Sequence, residues 1–274
     1  MIKIAVLILL LIVAWMSLRS MEPRTLYYPD RIMIANPSVY WLAYDDLQLT
    51  DEDGTRIHGW FLPGAKPITI LFCHGNAGNI SHRLDKAMRL HSTGAGLLFF
   101  DYRGFGLSEG TPTEAGTYQD AEAAYRYLIE TKRLKPEQIV FQGESLGCAV
   151  ATEMAIRHPE AGGLILESPF TSTVAMAKRI FPWLPVKWIV RYRYDNLSKI
   201  PKIKMPLLIM HSPQDDIVPF EMGRALFAAA PEPKQFVELV GDHNEGYAES
   251  GDRYRRAVED FLNKIRLHAS GGFR

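Results

Sequence analysis

A serine between glycines, a pair of adjacent aspartates and a late histidine are the residues of this chain best suited to chemistry. The serine is Ser145, in Gly143-Glu144-Ser145-Leu146-Gly147. The short, β-rich run Ile139-Val140-Phe141 precedes it, as a buried strand should. Cys148 to Ile156 follows and suits a helix packed on a sheet. A strand that turns directly into a helix must bend sharply. Gly143 and Gly147 remove side chains where the two elements nearly collide, and Ser145 stands at the apex with its Oγ exposed and its backbone strained. The helix that opens there directs free N–H groups at any developing negative charge. Gly-x-Ser-x-Gly also occurs by chance in unrelated proteins. The strand–turn–helix context is what makes it a nucleophile elbow here.

A serine hydroxyl is a weak nucleophile at neutral pH and needs a base within hydrogen-bond reach, plus a group that orients the base. Of eight histidines, His158 falls at the far end of the elbow helix, His211 precedes the acid candidates and His268 lies in the terminal helix or tail. His243 sits in the loop after the last strand, where a base belongs. Asp215 and Asp216 share the loop after the preceding strand. A buried carboxylate accepting from the imidazole would set its tautomer and stabilise its charged form. Asp215 is the first choice and Asp216 the spare. The chain order Ser145, Asp215, His243 fits an elbow of this kind. Acyl transfer also needs donors for a tetrahedral oxyanion. The N–H of Leu146 is one candidate. The N–H of Asn76, in the loop His74-Gly75-Asn76, is the second. His74 reads as a brace for that loop, Asp101-Tyr102-Arg103 as an internal network bracing the site, and Glu144 as a supporting group behind the catalytic residues or a group at the rim.

These residues need strands that end on one side of a sheet. Asp46 to Thr50 and Arg56 to Leu62 alternate around Asp51-Glu52-Asp53-Gly54, a hairpin. Buried strands are expected at Ile68–Phe72, Gly96–Phe100, the elbow strand, Gly163–Leu166, Pro206–Met210 and Gln235–Val240. Helices are expected from Ser81, as cap, to His91; from Thr113, as cap, to Thr131; after the elbow; from Pro219 to Ala230; and from Tyr247 to Leu267. The alternation means an α/β fold: a mainly parallel sheet covered on both faces, with an antiparallel N-terminal edge. Sites of such sheets lie at the carboxyl ends of the strands.

The chain has 274 residues, 47% of them hydrophobic, enough for one α/β domain and an appendage. Net charge is zero, which gives no electrostatic case for nucleic acid. Cys73 and Cys148 sit in apolar runs and read as buried free thiols. Met1 to Leu18 is apolar except for Lys3 and Ser17. As a helix it would span about 27 Å, enough for a single membrane anchor over residues 1–20. A cleaved signal peptide is the alternative, against which no good cleavage site precedes Arg19. Lys3 and the later Arg19, Arg24 and Arg31 argue for opposite orientations. Residues 21–43, with three prolines, read as a juxtamembrane linker. The insertion over residues 170–204 carries Met176, Phe181, Trp183 and Trp188, and could line an acyl pocket. Its cations could face anionic lipid or simply solvent.

Taken together, His74-Gly75-Asn76-Ala77-Gly78-Asn79, Asp101-Tyr102-Arg103-Gly104-Phe105-Gly106, the elbow, the Asp215 loop and Gly241-Asp242-His243-Asn244 resemble the α/β-hydrolase family over about residues 40–265. The run from His74 to Leu84 is most similar to a membrane-anchored branch with depalmitoylase and monoacylglycerol-lipase-like members. The resemblance implies an α/β-hydrolase domain over 44–268 with a lid-like insertion, a tail at 269–274 and a Ser145–Asp215–His243 triad. It favours the first aspartate of the loop. Cys148 departs from the small residue common after the elbow. The implied activity is a serine hydrolase acting on esters or thioesters of lipid-like or acylated substrates, with no metal or organic cofactor. The rivals are an amidase or peptidase on the same triad, and a non-enzymatic membrane scaffold.

Overall fold

Apolar runs form the central strands, and more polar segments the two edges, of one eight-stranded sheet. The computed structural model describes residues 13, 15–17 and 19–270. In chain order the strands are β1 (Asp45–Thr50), β2 (Arg56–Leu62), β3 (Thr69–Cys73), β4 (Gly96–Phe100), β5 (Ile139–Glu144), β6 (Gly163–Glu167), β7 (Leu207–His211) and β8 (Lys234–Glu238). Their spatial order is β8-β7-β6-β5-β3-β4-β2-β1. Only the β1–β2 and β2–β4 pairings are antiparallel. The expected hairpin edge and parallel body are both present; the third strand is shifted by one residue, and the last starts one residue and ends two residues before its expected bounds.

Side chains alternate across each strand, so a continuous apolar run feeds two cores. Leu71, Leu98, Phe141 and Leu164 face one way, against Ala121 and Tyr125 of α2 (Glu114–Arg126) and Val150 of α3 (Gly147–Arg157). Ile70, Phe99, Val140 and Ile165 face the other way, against Leu90 of α1 (Leu84–His91) and Val258 and Phe261 of the last helix. Every one of these residues is buried.

Several helix boundaries differ from expectation. The cap of the helix before β4 is Asn79, not Ser81. Its side chain accepts from Ser81 N at 2.9 Å, a 3-10 turn over Ile80–Arg83 follows, and α1 begins only at Leu84. Thr113 caps α2 as expected, through Gly116 N. Its final turn, Tyr127–Thr131, widens to π geometry. The C-terminal helix is two pieces, a turn at Gly246–Glu249 and a long helix at Asp252–Ser270, with Gly251 at φ +49° between them. The long helix enters the expected tail.

The insertion after β6 forms α4 (Thr173–Ile180), capped by Ser172, and α5 (Val186–Ile189). Next come a single turn at Asn196–Lys199, α6 (Phe220–Ala229) after β7, and α7, the long helix Asp252–Ser270. The segment read as a linker starts as a helix. Residues 19–26 are helical, and Tyr28–Pro29 then pairs with Ala77–Gly78. The expected anchor over 1–20 lies largely outside the described residues. Among the described residues no helix is long and apolar enough to cross a membrane.

Candidate active site

Register brings the carboxyl ends of the central strands together. Glu144 of β5 pairs with Glu167 of β6, Glu167 with Met210 of β7, and His211 with Glu238 of β8. The loops that leave these ends carry Ser145, the Asp215–Asp216 pair and His243.

Ser145 sits at φ +52°, in the left-handed region. A non-glycine residue is strained there and must be held by its surroundings. Its N–H donates to Glu167 O at 2.9 Å, and its own carbonyl accepts from Cys148 N at 3.0 Å. The flanking glycines are steric necessities. A Cβ on Gly143 would lie 2.3 Å from Gly147 O, and one on Gly147 would lie 1.9 Å from Cys73 O. Gly147 thus lets α3 start against the end of β3, beside the loop that holds Asn76.

His243 Nε2 lies 3.0 Å from Ser145 Oγ, and its Nδ1 lies 2.8 Å from Asp215 Oδ2. A carboxylate only accepts, so Nδ1 carries the proton and Nε2 is left to accept from the serine. Asp216 instead accepts from the backbone N–H of His243 at 3.2 Å and so steers the loop rather than the ring. The Asp215 side chain is fully buried. Its Oδ1 accepts from Ile217 N at 3.0 Å and Val218 N at 2.7 Å. His211 Nε2 stands 3.1 Å from both Asp215 Oδ2 and Val218 O. Burial alone would raise this carboxyl. The hydrogen bonds from His211 and His243 outweigh it and hold Asp215 well below the usual carboxylate range.

Leu146 and Asn76, the two candidate oxyanion donors, both line the cavity on Ser145. Among the described residues no protein acceptor takes the backbone N–H of either. Asn76 is fixed through its other groups. Its Nδ2 donates to Leu26 O at 2.7 Å, and its carbonyl accepts from Tyr28 N at 2.8 Å. His74 is buried as a brace. Its Nδ1 lies 2.7 Å from Gly75 O, and Tyr102 OH donates to His74 O at 3.0 Å. Arg103 joins Asp51, Asp53 and Asp120 in an ion-pair network that ties the hairpin to α2. Cys73 and Cys148 are buried and free.

Of the two places expected for Glu144, its contacts give it the supporting one. It pairs with Lys86, which also meets Glu167 at 2.8 Å. Tyr254 OH donates to the other Glu167 oxygen at 2.9 Å and accepts from Gln142 Nε2 at 2.9 Å. Arg83 Nη2 stands 3.6 Å from Glu144 on the cavity side. Burial would raise Glu144, but Lys86 and Arg83 overcome it and keep that carboxyl below its ordinary range. Glu167 is raised by burial, which Lys86 only partly offsets. Lys86 sits on α1 and was not singled out from sequence. Charge at an otherwise apolar helical position was the available signal. His211 was dismissed as a base because it precedes the aspartates. Its place at the end of β7, four residues before Asp215, marks it as a partner of the acid.

A cavity of about 560 Å³ opens on Ser145 and His243. Phe170, Met176, Ile180 and Phe181 of the insertion make one wall. The residues Glu22, Thr25, Leu26 and Tyr28 make another. Glu22 holds the two walls together, because its carboxylate accepts from Arg191 N and Tyr192 N, at 2.9 Å each. The polar end is where Ser145, Arg83 and Glu144 meet, and the apolar end is supplied by the insertion. Among the described residues there is no cluster of side chains that could hold a metal.

The family model described as alpha/beta hydrolase fold matches residues 68–189. The chain is 36% identical to the uncharacterized protein Rv2307c of Mycobacterium tuberculosis, over 91% of this chain and 90% of that one. It is 34% identical to the alpha/beta hydrolase domain-containing protein WAV2 of Arabidopsis thaliana, over 81% and 80%. Among solved structures, the Pyrococcus furiosus esterase Pf2001 superposes with a TM-score of 0.74 at 22% identity, over 87% of this chain and 97% of that one. That last likeness is one of fold.

Proposed function

The chain belongs to the α/β-hydrolase family, and from that premise we propose that it is a serine hydrolase cleaving carboxylic esters or thioesters of lipid-like or acylated substrates. The observation that carries this reading is the unbroken chain Ser145 Oγ–His243–Asp215, at 3.0 and 2.8 Å, opening on a cavity with an apolar wall.

In the proposed reaction, Ser145 Oγ attacks the acyl carbon as His243 Nε2 takes its proton. The carbonyl oxygen becomes an oxyanion facing the N–H groups of Leu146 and Asn76. Asp215 stabilises the imidazolium and keeps its orientation. The intermediate collapses, the C–O or C–S bond breaks, and the leaving alcohol or thiol receives the proton from Nε2. Water then attacks the acyl-enzyme and gives its proton to His243. The acid leaves, and Ser145 regains its hydrogen. We further propose that the apolar N-terminal residues anchor the protein to a membrane, so that it works on substrates gathered there.

A panel of p-nitrophenyl esters, acyl thioesters and anilides of increasing chain length tests this. Ester or thioester turnover should exceed anilide turnover and rise with chain length, and Ser145→Ala should remove it. Equal or greater anilide turnover would move the assignment to an amidase.

A further inference from the structure

From Ser168 to Tyr194 the chain carries five cations, Lys178, Arg179, Lys187, Arg191 and Arg193, and no carboxylate. The whole protein is balanced, with 31 basic and 31 acidic residues. All five cations are exposed. Large apolar side chains stand among them: Ile180 is 61% exposed, Phe181 45%, Trp183 75% and Trp188 76%. The N-terminal helix extends this face. Trp15 Nε1 donates to Trp188 O at 2.9 Å, Arg19 stacks over the Trp15 ring at 4.5 Å, and Met16 is exposed beside them. Ile180 and Phe181 also line the cavity that holds Ser145, so the face and the cavity mouth are continuous.

Indole rings are at home where hydrocarbon meets headgroups, and cations near an anionic leaflet each add roughly 1 kcal/mol of attraction. A second copy of this chain fits poorly. A two-fold interface sets a patch against itself and would bring five cations against five. We propose that the face formed by α4, α5 and Trp15 is a docking surface for a bilayer containing anionic phospholipid, laid so that the cavity opens toward the lipid. In sequence, residues 1–12, which precede Trp15, are apolar apart from Lys3. The proposal concerns binding and does not depend on the reaction assigned to Ser145.

The test uses the full chain and sedimentation with vesicles, either pure phosphatidylcholine or phosphatidylcholine mixed with phosphatidylglycerol. Wild type should prefer the mixed vesicles, with a preference that shrinks as salt is raised. The variant Lys178→Gln/Arg179→Gln/Lys187→Gln should lose roughly fivefold of that preference per cation removed. Brominated phospholipid should quench wild-type tryptophan emission, and Trp183→Phe/Trp188→Phe should reduce the quenching to the share that Trp15 contributes. Hydrolysis of a water-soluble short ester and the melting temperature should match wild type in both variants. Equal binding of wild type to both vesicles, or quenching unchanged in the tryptophan variant, would overturn the proposal. So would a tryptophan-dependent dimer with no vesicle preference. If no variant hydrolyses the soluble ester, the reaction assignment fails while the partition still decides the surface.

Discussion

At the scale of residues, the loop beside the nucleophile rests on a histidine that stays neutral. His74 is fully buried, and burial, helped by the charge of Arg83, lowers it to about 3. In the unfolded chain it should titrate near 6.5. The folded value lies below the unfolded one, so the unfolded state takes up the proton first. The His74 contribution is therefore complete above about pH 6.5 and is lost as pH falls toward 3, at about 1.4 kcal/mol per pH unit. His58 is shifted the other way, because Asp101 and Asp46 outweigh the lowering by burial, and it is present in both wild type and a His74 variant. Urea unfolding between about pH 5 and 6.5 should show His74→Asn less stable than wild type, with a slope shallower by about one proton. Identical slopes would count against a neutral buried His74. The identity of this residue as a brace was legible, because it follows a buried strand and adjoins Gly75. Ser145 was legible for a similar reason, since all its evidence is local. The choice between Asp215 and Asp216 was not local. Adjacent loop residues point in different directions, and only the fold shows that Asp215 is buried against two histidines while Asp216 reaches a backbone N–H.

At the scale of elements, the elbow depends on how closely α3 approaches β3. Gly147 has no room for a methyl group, because the contact would be with the backbone of Cys73 and not with a side chain able to swing away. Gly147→Ala should cost about 1–3 kcal/mol or more in denaturant unfolding and should displace the Leu146 N–H, so activity falls further than stability. A variant with wild-type stability and turnover would show that the helix can slide. Strands and helices were mostly readable in type, since two-sided burial leaves continuous apolar runs and Thr113 caps as its sequence context predicts. The errors came where the backbone makes short-range choices. Asn79 outcompetes Ser81 as a cap because its amide also donates to Asp30 O and Ile32 O, contacts contributed by the N-terminal segment. The split after Glu249 falls at a glycine with positive φ, inside a stretch whose helical pattern continues on both sides.

At the scale of the whole molecule, the site is assembled from parts far apart in the chain, and those were the parts sequence could not show. Lys86 neutralises two carboxylates from β5 and β6, and its side chain is 4% exposed. Lys86→Met would leave Glu167 without a cation and Glu144 with Arg83 alone. It should destabilise the protein by about 3–5 kcal/mol, and adding Glu144→Gln and Glu167→Gln should restore a large part of this. No recovery in thermal unfolding would mean that the lysine acts by packing alone. The N-terminal helix is a second such part. It lacks the periodicity of a core element, yet it walls the cavity and holds Asn76 through Leu26 O. The central claim is that three strand ends converge to activate Ser145. The most direct measurement is covalent labelling of the folded full chain by a fluorophosphonate probe, comparing wild type with Ser145→Ala and His243→Ala. Labelling of wild type that is lost in both variants is predicted. Labelling that persists in Ser145→Ala, or is as fast in His243→Ala as in wild type, would contradict the account.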